Sequence, residues 1–295
     1  MTSATVATGM ELEYDTFGDP ADPALLLVMG LGAQMTLWDD KFCTMLANTG
    51  RHVIRFDNRD CGLSTKFDGV TVDATVVITA LLTGQADALA SMVPYKLSHM
   101  AADAVGLLDH LGIARAHIAG ASMGGMIVQT MAIEHPDRVL SLASIMSMTG
   151  EPEYGQAEPE AMAVLMRPPP TDRAAYIASS VDAEVIMSKK YRDHDEIRAR
   201  AAASYDRSFC PEGTARQMAA IIASGPRADG LRALDVPTVV IHGLDDALIN
   251  PTGGRRTAEL IPGAALVEVA DMGHDLPEPL WPQIVEAITS VSLPS

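Results

Sequence analysis

Gly120-Ala121-Ser122-Met123-Gly124 sets a serine between glycines. There a strand-like apolar run, residues 115–119 (RAHIA), gives way to a helical one, residues 126–134 (MIVQTMAIE). A serine on such a sharp turn is held with its hydroxyl exposed and faces the N-terminus of the following helix. The flanking glycines allow the strained turn and the close approach of strand and helix. A serine hydroxyl attacks only when a general base lies within hydrogen-bond reach and an acid orients that base. Of the eight histidines, His274 is the best placed, because it sits in the turn Asp271-Met272-Gly273-His274-Asp275 after the last expected strand. His117 falls inside a strand, and His99, His110, His135 and His194 fall on helices; His52 and His242 flank strands. The acid is expected after an earlier strand, where Asp245 and Asp246 stand side by side. Neighbouring side chains point differently, so one of the two orients the imidazole, and spacing leaves open which. Acyl transfer also needs donors for a developing oxyanion. The Met123 N–H at the helix start is one. The glycine-containing loop Gly30-Leu31-Gly32-Ala33-Gln34 can supply the other.

These residues work together only if a scaffold brings them to one edge. Residues 24–29 (ALLLVM), 53–56, 116–119, 140–146, 238–241 and 266–269 are apolar runs of buried-strand length, and residues 11–17 alternate like an antiparallel edge strand. Helical stretches lie between them at 37–48, 99–111, 124–134, 252–260 and 281–291. That alternation implies an α/β fold: a mostly parallel central sheet flanked by helices, with working residues on loops at the carboxyl ends of its strands. Two segments break the rhythm. Residues 149–231 exceed what a connection needs. They carry Pro168-Pro169-Pro170 and helical stretches around 173–187 and 197–223, which reads as a helical cap. Residues 64–98 form an extra insertion near the site. The core is thus expected at 1–148 and 232–295, with the cap at 149–231.

The formal charge is −17, which argues against nucleic-acid binding, since phosphates need a basic footprint. Aromatic residues make up 4% against 48% hydrophobic, so the core must be mostly aliphatic. Cys43, Cys61 and Cys210 have no metal-ligand spacing and read as reduced thiols. The first fifteen residues do not pair a basic region with an apolar stretch, and the apolar window 74–93 is interrupted by polar residues. A cytoplasmic protein without a membrane span is expected, as monomer or homodimer, and its chemistry requires no metal and no cofactor.

The serine–acid–histidine order, with Val28-Met29-Gly30-Leu31-Gly32, the segment Arg55 to Ser64 (RFDNRDCGLS), Val236 to Asp246 (VPTVVIHGLDD) and Gly273-His274, resembles the α/β-hydrolase fold family along nearly the whole chain. Within it the chain is similar to capped bacterial esterases, aclacinomycin methylesterases and lipase-like carboxylesterases among them. The family's Gly-x-x-Asp pattern falls on Asp246, and the resemblance places the second oxyanion donor at the Leu31 N–H. Met29 departs from the histidine many relatives carry there.

The resemblance implies a serine hydrolase with the triad Ser122, Asp246 and His274. It would cleave carboxylic esters of small to medium, mostly apolar molecules through an acyl-enzyme. Gln34, Trp38, Met148 and Tyr205 are the expected substrate contacts. The same triad would serve a carbon–carbon bond hydrolase or an enol-lactone hydrolase. A ligand receptor on this fold is the reading from a different class.

Overall fold

The computed structural model describes residues 2–83, 89, 91–167 and 170–291. Among these, eight strands form one sheet: β1 (Thr2–Thr5), β2 (Glu11–Phe17), β3 (Ala24–Val28), β4 (His52–Phe56), β5 (Ala116–Ala121), β6 (Val139–Ile145), β7 (Thr238–Gly243) and β8 (Ala265–Val269). Their order is β1-β2-β4-β3-β5-β6-β7-β8. β1 and β2 pair antiparallel, and β2 pairs antiparallel with β4. All remaining pairs are parallel. The chain leaves β3 to build β4 on one side and returns to build β5 on the other. The carboxyl ends of β3 and β5 therefore flank a switch point, the place where open α/β sheets hold their ligands.

The described helices are α1 (Asp40–Ala47), α2 (Ala74–Thr83), α3 (Leu97–His110), α4 (Met123–Glu134), α5 (Pro159–Leu165), α6 (Arg173–Asp182), α7 (His194–Arg207), α8 (Pro211–Ser224), α9 (Ala228–Arg232), α10 (Thr252–Leu260) and α11 (Trp281–Ser290). Successive strand residues point to opposite faces, so a strand covered on both must be apolar throughout. Leu26 and Val28 join Ile118, Leu142 and the α3 and α4 residues Met100, Leu107, Ile127 and Met131 on one face. Leu25 and Leu27 join Val53, Val239 and Ile241 with Phe42 and Leu46 of α1 and Ile284 and Ile288 of α11 on the other.

The structure corrects several element boundaries. β1 lies outside the expected strands: its TSAT sequence is polar and mostly exposed, and it exists through its ladder with β2. The first helix starts at Asp40, not 37, because Asp39 caps it by accepting from Lys41 N at 2.8 Å. The expected helix 197–223 is two helices, broken where Pro211 opens α8, a position that suits a residue without an N–H. The helical stretch expected over 173–187 ends at Asp182, and Ala183–Ile186 tightens into a 3-10 turn. Pro168 and Pro169 of the proline run lie outside the described residues, as do 84–88 and 90 of the expected 64–98 insertion.

Helices α5 to α9 all fall between β6 and β7. Two of them tie that segment to the sheet through buried polar contacts. Arg216 of α8 donates to both carboxylate oxygens of Asp60 at 2.8 and 2.7 Å. Arg207 of α7 pairs with Asp57 at 2.7 Å. Among the described residues no helix is long and apolar enough to cross a membrane.

Candidate active site

Ser122 stands at the junction of β5 and α4 with φ 57° and ψ −119°. A non-glycine residue rarely holds that conformation, and here the surroundings enforce it. The Ser122 N–H donates to Ile145 O of β6 at 2.9 Å, and its carbonyl accepts from Ser147 Oγ at 2.8 Å. The glycines of the motif are steric requirements. A Cβ on Gly120 would meet Gly124 O at 2.1 Å, and one on Gly124 would meet Val28 O at 2.0 Å. Strand, turn and helix close up only because both positions lack a side chain.

His274 follows β8 on an irregular loop, with its side chain 8% exposed. Its Nε2 lies 2.9 Å from Ser122 Oγ, and its Nδ1 lies 2.8 Å from Asp246 Oδ2. The other Asp246 oxygen accepts the N–H groups of Leu248 and Ile249, each at 2.9 Å. The acid loop and the histidine loop also meet through Asp245 N, which donates to Met272 O at 3.0 Å. Burial would raise the Asp246 carboxyl, but the charge and hydrogen bond of His274 and the contact with His242 outweigh it. Asp246 is held well below the usual carboxylate range. His242 is 1% exposed and spends its Nε2 mainly on Ile249 O, at 2.7 Å, with Asp246 Oδ2 further off at 3.5 Å.

The structure thus brings together Ser122, Asp246 and His274 from three loops at the carboxyl end of the sheet. Asp245 is exposed. Gly30, at the start of the loop after β3, lies against Ser122, since a Cβ on it would sit 3.2 Å from Ser122 Cβ. The next glycine, Gly32, has φ 63° and gives its N–H to Gln217 Oε1 of α8 at 2.8 Å. The expected oxyanion donors are the Leu31 N–H, in this same loop, and the Met123 N–H at the start of α4.

The expected substrate contacts separate into two pairs. Trp38 is a correction: it is 0% exposed and stacks on Phe42 at 5.7 Å between ring centroids, so it lines no accessible space. Gln34 is a second correction. Its Nε2 donates to Ser204 O and Ser208 O at 2.7 and 2.9 Å, and its Oε1 accepts from Arg207 at 2.6 Å. Both ends of its amide fasten α7 to the loop after β3. Tyr205 is half-buried in an aromatic group with Tyr176 and Phe209, 5.7 and 4.6 Å away between centroids. Met148 is half-buried on the segment after β6 and packs at Gly155 and Gly253.

Sequence reasoning passed over Gln217, which also donates to Arg59 O at 2.7 Å and so fixes two loops at once. It also missed Ser188 and Asp275, which meet beside His274. No period or motif signals such pairs, because each joins a helical segment to a distant loop. The thiols offer no rival nucleophile: burial pushes Cys43 up to about 12 and raises Cys61 and Cys210 as well. Among the described residues no group of three or more His, Cys, Asp or Glu is placed to hold a metal ion.

A family model described as alpha/beta hydrolase fold matches residues 23–278. The chain belongs to the α/β hydrolase fold family. It is similar to the rhodomycin D methylesterase of Streptomyces sp. (strain C5), at 29% identity over 92% of this chain and 91% of that protein. It is also similar to 3-oxoadipate enol-lactonase 2 of Acinetobacter baylyi, at 26% identity over 91% of this chain and 88% of that protein. Among solved structures, the enol-lactonase of Burkholderia xenovorans aligns with a TM-score of 0.74 at 24% identity, covering 99% of both chains. At that identity the likeness speaks to the fold.

Proposed function

We propose that this α/β hydrolase is a serine esterase that cleaves small to medium, mostly apolar carboxylic esters through an acyl-enzyme. The observation that carries the reading is the chain of contacts from Ser122 Oγ to His274 Nε2 at 2.9 Å and from His274 Nδ1 to Asp246 at 2.8 Å. Ser122 attacks the ester carbonyl while His274 Nε2 takes its proton. The ionised Asp246 orients the imidazole and stabilises the imidazolium that forms. The Leu31 and Met123 N–H groups stabilise the tetrahedral oxyanion, the first from the loop that Gly30 sets against Ser122 and the second from the N-terminus of α4. The imidazolium then gives its proton to the departing alcohol. Water, deprotonated by the same imidazole, releases the acid. No step calls for a metal or cofactor.

Residues 149–231 act as a cap over a core formed by 1–148 and 232–295, with the substrate between them. Tyr205 and Met148 are the substrate contacts, and the Tyr176–Tyr205–Phe209 group supplies an apolar wall. The methylesterase named among the relatives supports an ester substrate. An enol-lactone is an ester whose acyl group and leaving oxygen are tethered, so the named enol-lactonase supports lactones as a second class for the same steps.

The test is hydrolysis of p-nitrophenyl butyrate by wild type and Ser122→Ala. Loss of the nucleophile should cost at least roughly a thousandfold in kcat. Equal rates would sink the proposal. A panel of simple esters and enol-lactones then separates the two substrate classes by kcat/KM.

A further inference from the structure

We infer that Ser188 and Asp275 are positioning residues for His274, through which the segment between β6 and β7 holds the catalytic imidazole in line. This rests on the reading of His274 as general base. His274 rides on the loop between the end of β8 and the 3-10 turn Glu278–Leu280, which has no ladder or helix through it, so its position must come from elsewhere. Three consecutive residues of that loop are tied to residues 186–188. The Gly273 N–H donates to Ser188 Oγ at 2.8 Å, and the His274 N–H donates to Ile186 O at 2.7 Å. Asp275 Oδ1 accepts the Ser188 N–H at 3.0 Å and also the Ser188 hydroxyl. Ser188 is therefore both acceptor and donor: its oxygen takes one loop N–H, and its proton goes to the carboxylate two residues later.

The clamp fixes the two peptide N–H groups that lead into the His274 Cα and anchors the side chain of the residue that follows it, and with them the direction in which the imidazole leaves the chain. That direction has to satisfy contacts at both ring nitrogens. The fit is close enough to forbid a side chain at 273, where a Cβ would come within 2.5 Å of both Met187 C and Ser188 N. Ser188 is 0% exposed, so removing its hydroxyl leaves the Gly273 N–H buried without an acceptor. Asp275 lies next to the base in the chain, but its Oδ1 is turned to Ser188. Its role is to accept hydrogen bonds, which separates it from Asp246, whose charge faces the ring.

The experiment measures kcat and KM for p-nitrophenyl butyrate with wild type, Ser122→Ala, Ser188→Ala, Asp275→Ala, Asp275→Asn and the Ser188→Ala/Asp275→Ala double variant. Each is assayed well below its own Tm. Ser188→Ala and Asp275→Ala should lose roughly tenfold to a hundredfold in kcat, the scale of a small misplacement of a reacting group. KM should stay within about twofold, because substrate contacts are untouched. The double variant should fall no further than the worse single, as expected for two parts of one device. Asp275→Asn keeps an oxygen acceptor and should retain most of the activity. Wild-type kcat in Ser188→Ala and Asp275→Ala, with Ser122→Ala inactive, overturns the clamp alone; an active Ser122→Ala overturns the reading beneath it. Asp275→Asn falling as far as Asp275→Ala also overturns the clamp, since charge would then be what matters. If Ser188→Ala does not fold, the Asp275→Asn and Asp275→Ala comparison decides.

Discussion

Asp245 and Asp246 are chain neighbours with opposite surroundings. Asp246 is 2% exposed, accepts two main-chain N–H groups and reaches His274 at 2.8 Å, while Asp245 is exposed. Asp246→Asn keeps the shape but removes the charge that stabilises the imidazolium, and it turns an amide NH₂ toward a donor. Its kcat should fall on the order of a thousandfold or more. Asp245→Asn should stay within about twofold, the usual range for a solvated surface change. Initial rates on p-nitrophenyl butyrate decide, and the reverse result would reassign the acid.

Ser122 holds its φ of 57° at a cost of order 1–3 kcal/mol, which glycine would not incur. Glycine's greater freedom in the unfolded chain returns roughly 0.5–1 kcal/mol of that. Ser122→Gly and Ser122→Ala should both be inactive, yet the glycine variant should be the more stable by about 1 kcal/mol. Urea denaturation of the two proteins measures the difference. An alanine variant of equal or greater stability would mean that the turn is unstrained.

The parts of this site that were legible in the sequence are local ones. The turn at Ser122 carries glycines wherever a Cβ would strike backbone, and β3 is apolar throughout because both its faces are covered. Local pattern also misled. Trp38 follows the loop after β3, where a pocket residue is expected, but its ring stacks on Phe42 inside the core. Gln34 has the character of a polar substrate contact, and only the folded chain shows α7 consuming its amide. The contact of Ser188 with Asp275 spans 87 residues, and that of His274 with Ser122 spans 152. The second could be anticipated because strand ends collect catalytic loops. The first joins the end of a 3-10 turn in an inserted segment to a loop, and no rule of sequence spacing connects them.

The join between α8 and the loop after β4 depends on a buried charge pair. Asp60 lies at φ 65° with its side chain 0% exposed, held by Arg216, by Tyr95 Oη at 2.6 Å and by the Phe67 N–H at 2.9 Å. Arg216→Met leaves that carboxylate buried without its cation. The expected loss is about 3–5 kcal/mol of stability, well above what a lost surface pair would cost. Adding Asp60→Asn should recover part of it, because the uncompensated charge is gone. Chemical denaturation of the single and double variants tests both statements. A single variant within about 1 kcal/mol of wild type would mean that water reaches Asp60.

His117 gives the protein an acid sensitivity away from the catalytic site. It lies in β5, 8% exposed, with Nδ1 2.8 Å from Ser141 Oγ. Burial, aided by the charge of Arg51, lowers it from 6.5 to about 4. The folded state therefore resists a proton that the unfolded chain accepts readily. Above pH 6.5 both states carry a neutral ring and the group has no effect on stability. As pH falls from 6.5 towards 4 the unfolded chain takes up its proton first, so stability is lost across that window and levels off below it. The full loss is about 3 kcal/mol, because a tenfold difference in proton affinity between the two states is worth about 1.4 kcal/mol. His117→Gln keeps a partner for Ser141 without a titrating ring. It should lose about 3 kcal/mol less than wild type between about pH 7 and pH 4. Acid effects of the carboxylates and of His52, which burial also lowers, are common to both proteins and cancel in the comparison. Urea denaturation at about pH 7, 5.5 and 4 gives the two curves. Parallel curves would show that His117 takes its proton as readily folded as unfolded.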